Sequence, residues 1–188
     1  MRIVLGSGSR FRKEFMAMAG YDFDILVPDI DERAIRAEDP YQLPLVLSRA
    51  KAAVLLPKIS EPSLLITSDT IVICKGKVYE KPVNADEVRS FIHEYNQVKI
   101  TDVVTTILVT NIETGKEAYE TDIAQVAFSP IPDEAIEEFI KNGDPYSRAG
   151  GFSIENEALA PYIKIVKGTR ESIMGLPDIL PGLLKKAE

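Results

Sequence analysis

Cysteine and histidine are almost absent: one of each occurs in 188 residues. Cys74 alone can form neither an internal disulfide nor a thiolate metal cage. It lies in the apolar run Ile71-Val72-Ile73-Cys74, which predicts a buried structural thiol. A Ser-His-Asp triad or a histidine-rich zinc site would have to use His93, and nothing around it completes either set. Long apolar runs are missing too. None approaches the roughly 20 residues that span a bilayer, and no charged region followed by an apolar stretch marks a secretory leader. A cytosolic protein is expected. Basic residues are in deficit, 22 Lys and Arg against 29 Asp and Glu, for a net charge of −7. That argues against the basic stripe of a nucleic-acid polymer binder. It leaves room for a small anionic ligand, because cations can cluster locally.

What is present is an ordinary globular composition, 45% hydrophobic and 27% charged. Periodicity predicts strands at 2–6, 23–27, 64–74, 78–79 and 162–166, and a long hairpin of 98–109 and 118–128. Helices are predicted at 10–19, with Phe11, Phe15, Met18 and Ala19 as the apolar face, and at 40–56, with Leu43, Val46, Leu47, Ala50 and Val54 as a stripe. Further helices are predicted from the cap Asn84 through 95, at 133–141 before Gly143, and over 172–186 with interruptions at Pro177 and Pro181. This pattern reads as α/β, a mixed sheet with flanking helices, and residues 1–188 as a single two-lobed domain.

Six segments could carry chemistry. Ser7-Gly8-Ser9-Arg10-Phe11-Arg12-Lys13 joins a strand to a helix start. Free backbone N–H groups, two hydroxyls and three cations there suit a phosphate ester; a serine-capped helix with solvated basic residues is the equal alternative. Asp29-Ile30-Asp31-Glu32 could hold a hard divalent ion or be a solvated acidic loop. Lys51, between Ala50 and Ala52, reads on its own as a snorkelling lysine. Asp69 interrupts the apolar strand around Thr67-Ser68-Asp69-Thr70, where an unpaired charge is costly. It is the candidate proton acceptor or metal ligand, against a structural aspartate bonded to nearby backbone. Lys81 precedes Pro82, which extends the chain. Ser147-Arg148-Ala149-Gly150-Gly151 combines a cation with close backbone approach, and Glu155 follows.

In order and spacing these segments resemble the Maf family of nucleoside triphosphate pyrophosphatases, related to the inosine-triphosphatase fold. The matching residues are Ser7-Gly8-Ser9-Arg10-Phe11-Arg12, Asp31-Glu32, Lys51-Ala52, Asp69-Thr70-Ile71-Val72, Lys81-Pro82, Arg148-Ala149-Gly150-Gly151-Phe152 and Gly175-Leu176-Pro177. The resemblance implies two lobes around a central cleft, water attack at the α-phosphate, a divalent metal (magnesium or manganese) and a homodimer. It implies Asp69 as proton acceptor with Lys51 and Lys81 as catalytic cations. Ser7, Ser9, Arg12 and Arg148 would hold phosphates, and Glu32 with Asp69 the metal. Phe11, Thr70 and Glu155 stand where base choice is made. Phe11 and Glu155 are similar to the branch acting on 7-methylguanosine triphosphate, whereas Thr70 is similar to the dTTP/UTP branch. An aromatic face stacks on a cationic methylated guanine, and a carboxylate accepts from its N1–H and amino group. A modified or plain guanine triphosphate is therefore expected. The alternatives are a dTTP/UTP enzyme, a non-catalytic nucleotide-sensing module linked to cell division, and a phosphatase or nucleotidyl transferase.

Overall fold

The computed structural model describes residues 1–188. Its strands are β1 (Arg2–Gly6), β2 (Asp24–Ile25), β3 (Ser63–Cys74), β4 (Lys77–Tyr79), β5 (Ile100–Asn111), β6 (Glu117–Phe128) and β7 (Ile163–Lys167). They form one sheet of order β2-β1-β3-β5-β6-β7, with β4 paired to β3. β1 runs parallel to β2 and β3, β4 antiparallel to β3, and β7 antiparallel to β6. The α-helices are α1 (Arg10–Met18), α2 (Leu43–Leu55), α3 (Ala85–Val98), α4 (Asp133–Asn142), α5 (Arg170–Met174) and α6 (Leu180–Ala187). The architecture is the mixed-sheet α/β fold expected.

The chain forms two compact units. The first comprises Met1–Thr70, Thr105–Asp122 and Arg170–Glu188. Its strands alternate faces with the period of two that the pleat imposes. Leu5, Leu64, Ile66, Ile107 and Val109 share one core with Met16 of α1 and Leu180, Leu183 and Leu184 of α6. Val4, Leu65 and Leu108 share another with Ala52 and Leu55 of α2. α1 and the C-terminal helices thus cover one face of this part of the sheet and α2 the other. Gly6 permits the close packing of α2: a Cβ there would lie 2.7 Å from Leu55 Cδ1 and 2.8 Å from Thr67 Cγ2.

The second unit comprises Ile71–Val104 and Ile123–Thr169. Its core includes an aromatic cluster in which Tyr95 stacks on Phe128 at 4.9 Å, with Phe152 edge-on to both. Asn84 caps α3 by accepting from the Glu87 N–H, as expected. Glu87 returns the bond one residue earlier than a capping box requires, to the Val83 N–H.

Several boundaries and faces differ from expectation. β2 spans only Asp24–Ile25, because Pro28 follows closely and has no N–H for a ladder. In α1 the buried residues are Arg12 and Met16, and Met18 is exposed. In α2, Val46 is exposed while Ser48 and Lys51 are buried. The face is turned because polar groups of the helix are satisfied against the sheet: the Thr67 hydroxyl donates to the Ser48 carbonyl at 2.9 Å, and the Ser48 hydroxyl lies 3.4 Å from the Thr106 carbonyl. Pro181 lies in the first turn of α6 and opens the helix rather than interrupting it.

Candidate active site

The parallel register sets Leu5 opposite Ile66 and Gly6 opposite Thr67. The turn after β1 therefore lies beside Ser68 and Asp69. Alternation along β3 turns Thr67 and Asp69 toward α2, and Ser68 and Thr70 toward α1 and the C-terminal segment. The contacts agree with both assignments.

On the α2 side, the Lys51 ammonium lies 2.5 Å from Asp69 Oδ1 and 2.8 Å from Glu32 Oε1. Lys51 is 5% exposed and Asp69 6%, so the snorkelling reading of Lys51 is wrong. The turned face of α2 points it inward, where burial demands a counter-ion. Glu32 is half-buried at the start of a short 3-10 turn capped by Asp31, whose carboxylate accepts from the Arg33 N–H. Burial pushes the Asp69 carboxyl above its ordinary value; Lys51 and then Arg12 oppose that rise, while Glu32 adds to it. A carboxylate so raised is a better proton acceptor than an exposed one.

On the other side, Arg12 is buried. Its guanidinium donates to the Gly175 carbonyl at 2.9 Å, the Ser68 carbonyl at 3.0 Å, the Thr70 hydroxyl at 3.0 Å and the Ser7 hydroxyl at 3.4 Å. Every one of these acceptors is neutral. Burial works against its charged form, and Asp69 and Glu32 favour that form through space. Ser9 caps α1, its hydroxyl accepting from the Arg12 N–H at 3.4 Å, while Arg12 itself is buried rather than solvated. Arg10 pairs with Glu14 on the surface at 2.7 Å and takes no part. Phe11 is half-buried on α1.

A family profile described as Maf-like protein matches residues 2–185. The chain belongs to the Maf-like family. It is 40% identical to a 7-methyl-GTP pyrophosphatase of Dictyostelium discoideum over 185 residues, covering 95% of this chain and 92% of that protein. It is 32% identical to a dTTP/UTP pyrophosphatase of Vibrio vulnificus, with coverage of 94% and 92%. The crystal structure of a nucleoside-triphosphatase / dITP/XTP pyrophosphatase from Mycobacterium abscessus aligns over 100% of this chain and 94% of its own at 10% identity, with a TM-score of 0.47.

The remaining Maf motif residues belong to the second unit. Gly150 and Gly151 have φ of 72° and 61°, a region that favours glycine. A Cβ on Gly150 would lie 2.6 Å from Val72, and one on Gly151 3.0 Å from Pro82. The Gly150 N–H donates to the Glu80 carbonyl at 3.1 Å. The glycine pair thus brings the Arg148 segment against Lys81-Pro82. Lys81 and Glu155 are exposed and Arg148 half-buried. His93 is exposed beside Asp133, and Cys74 is buried, as expected. No helix is long and apolar enough to cross a membrane.

Three groups around Arg12 went unassigned from the sequence: the carbonyls of Ser68 and Gly175 and the hydroxyl of Thr105, which pairs with Thr70 at 2.9 Å. Gly175 alone carried a signal, within Gly175-Leu176-Pro177.

Proposed function

We propose that this Maf-like protein hydrolyses a nucleoside triphosphate between the α- and β-phosphates, giving the monophosphate and pyrophosphate. The observation that carries the reading is Arg12. A buried guanidinium bonded only to neutral oxygens, beside the Lys51–Asp69 pair, suits a polyanion better than it suits the apolar interior. The curated relatives, named as pyrophosphatases, support the same reading. In the reaction a water oxygen bonds to the α-phosphorus, its proton passes to Asp69, and the bond to the bridging oxygen breaks with pyrophosphate leaving. Arg12, Ser7 and Ser9 hold and orient phosphates; the family resemblance gives Lys81 and Arg148 the same role. Such catalysis is mainly positioning and charge stabilisation.

The residues present fit a divalent cation, magnesium or manganese. Oxygens of Glu32 and Asp69 already converge on one positive centre, the Lys51 ammonium. Two carboxylates would leave the rest of a magnesium or manganese shell to water and phosphate oxygens. When bound, the cation would neutralise charge on the phosphates. Lys51 would compete with the cation for the same two carboxylates.

A guanine base, 7-methylated or plain, is favoured by Phe11, by Glu155 and by the 40% identical relative. The family resemblance supports a homodimer, which analytical ultracentrifugation tests. For activity, 7-methyl-GTP, GTP, dTTP and UTP are compared by pyrophosphate release. Faster turnover of dTTP or UTP overturns the base assignment, and release of single phosphate points to a phosphatase. Asp69→Asn should abolish turnover while nucleotide binding persists. Unchanged turnover refutes its role as proton acceptor.

A further inference from the structure

We infer that Thr105 and Thr70 are positioning residues for Arg12, forming a hydroxyl relay anchored on the C-terminal segment. The inference rests on the assignment of Arg12 to phosphate. The directions of the bonds follow from proton counting. The Ser172 carbonyl can only accept, and the Thr105 hydroxyl lies 3.3 Å from it. A hydroxyl has one proton, so Thr105 spends it on Ser172. In the 2.9 Å contact between the two hydroxyls, Thr70 is therefore the donor. The Thr70 oxygen is left with lone pairs only, and one of them accepts from Arg12 Nη2 at 3.0 Å.

The relay runs Arg12 to Thr70 to Thr105 to Ser172, each link donating to the next. Bonds so aligned polarise one another. The same C-terminal stretch holds the guanidinium a second time, directly, through the Gly175 carbonyl at 2.9 Å. Gly175 has φ of 90°, and a Cβ there would lie 2.7 Å from the Thr70 hydroxyl and 3.2 Å from Arg12 Nη2. Glycine at this position keeps both grips possible. Thr70 faces away from the α2 side of β3, where Asp69 meets Lys51. Thr70 thereby acquires a part in phosphate geometry beside the base-choosing role that the family resemblance implies.

Thr105→Val removes the hydroxyl at nearly constant shape. Expected is a loss of about tenfold in kcat/KM for the preferred triphosphate, with a similar loss of pyrophosphate affinity by calorimetry. Thr105→Ser should restore both, a rescue that a purely steric role of the methyl group would not give. Thr70→Val should reproduce the pattern and serves in its place if Thr105→Val does not fold. Unchanged kcat/KM and pyrophosphate affinity overturn the inference. Should the wild-type chain release no pyrophosphate from any triphosphate, the proposed reaction fails, and pyrophosphate binding still decides the relay.

Discussion

Lys51 bears the most consequence at the scale of single residues. It is a buried cation shared by two carboxylates, and removing one partner of such a group typically costs about 3–5 kcal/mol. Lys51→Met should therefore melt at lower temperature than the wild type. Manganese should stabilise both proteins, and the variant more, because Lys51 competes for the same carboxylates in the wild type. A thermal-shift titration with MnCl2 reads this out, and equal responses in the two proteins contradict the shared position. Asp69 sets the pH dependence. It accepts a proton only when ionised, and burial raises its pKa. Activity should fall on acidification at a higher pH than an exposed aspartate would dictate. Its contribution to stability has the matching sign: complete below the ordinary aspartate value, lost as pH rises through the raised one. A pH profile of kcat/KM tests the first statement, and urea melts of wild type and Asp69→Asn at several pH values test the second.

At the scale of elements, the site depends on how closely α2 approaches β1 and β3. Gly6→Ala would place a methyl 2.7 Å from Leu55, one turn of α2 beyond Lys51. Overpacking of this kind costs about 1–3 kcal/mol, and here it should also shift Lys51 and reduce kcat. Urea denaturation and steady-state kinetics of Gly6→Ala check both; normal kcat with lowered stability would separate α2 packing from Lys51 placement. Elements and site were not equally legible. Strand and helix existence followed from periodicity, and Asp69 stood out as a charge inside an apolar strand. The inward turn of Lys51 did not stand out, because it depends on which helix face the sheet covers, and Ser48 and Thr67 settle that through hydrogen bonds. Thr105 resembles any β-branched residue of a strand. Its partners lie 35 and 67 residues away, a separation that no local pattern reports.

For the molecule as a whole, the net charge and the two buried cations have opposite sign. The chain carries −7, yet Arg12 and Lys51 sit buried in the first unit. A small polyanion should bind and duplex DNA should not, since DNA affinity comes from many exposed cations. Pyrophosphate at about 100 times its dissociation constant should stabilise the protein by about 2.7 kcal/mol, visible as a rise in Tm. DNA at equal phosphate concentration should leave Tm unchanged, and a comparable rise with DNA would reverse this view of the surface.

The pairing of β1 with β3 also fixes a reading frame. Each strand has one phase in which Asp69 faces Lys51 while Thr70 faces Arg12. Slippage by a single residue swaps the two faces, so the lysine would meet a hydroxyl and the arginine a carboxylate. All the side chains would still be present, and the site would be mistranslated. Deleting one residue from the apolar stretch of β3 ahead of Asp69 is thus the structural counterpart of a frameshift: composition hardly changes, and the chemistry is lost.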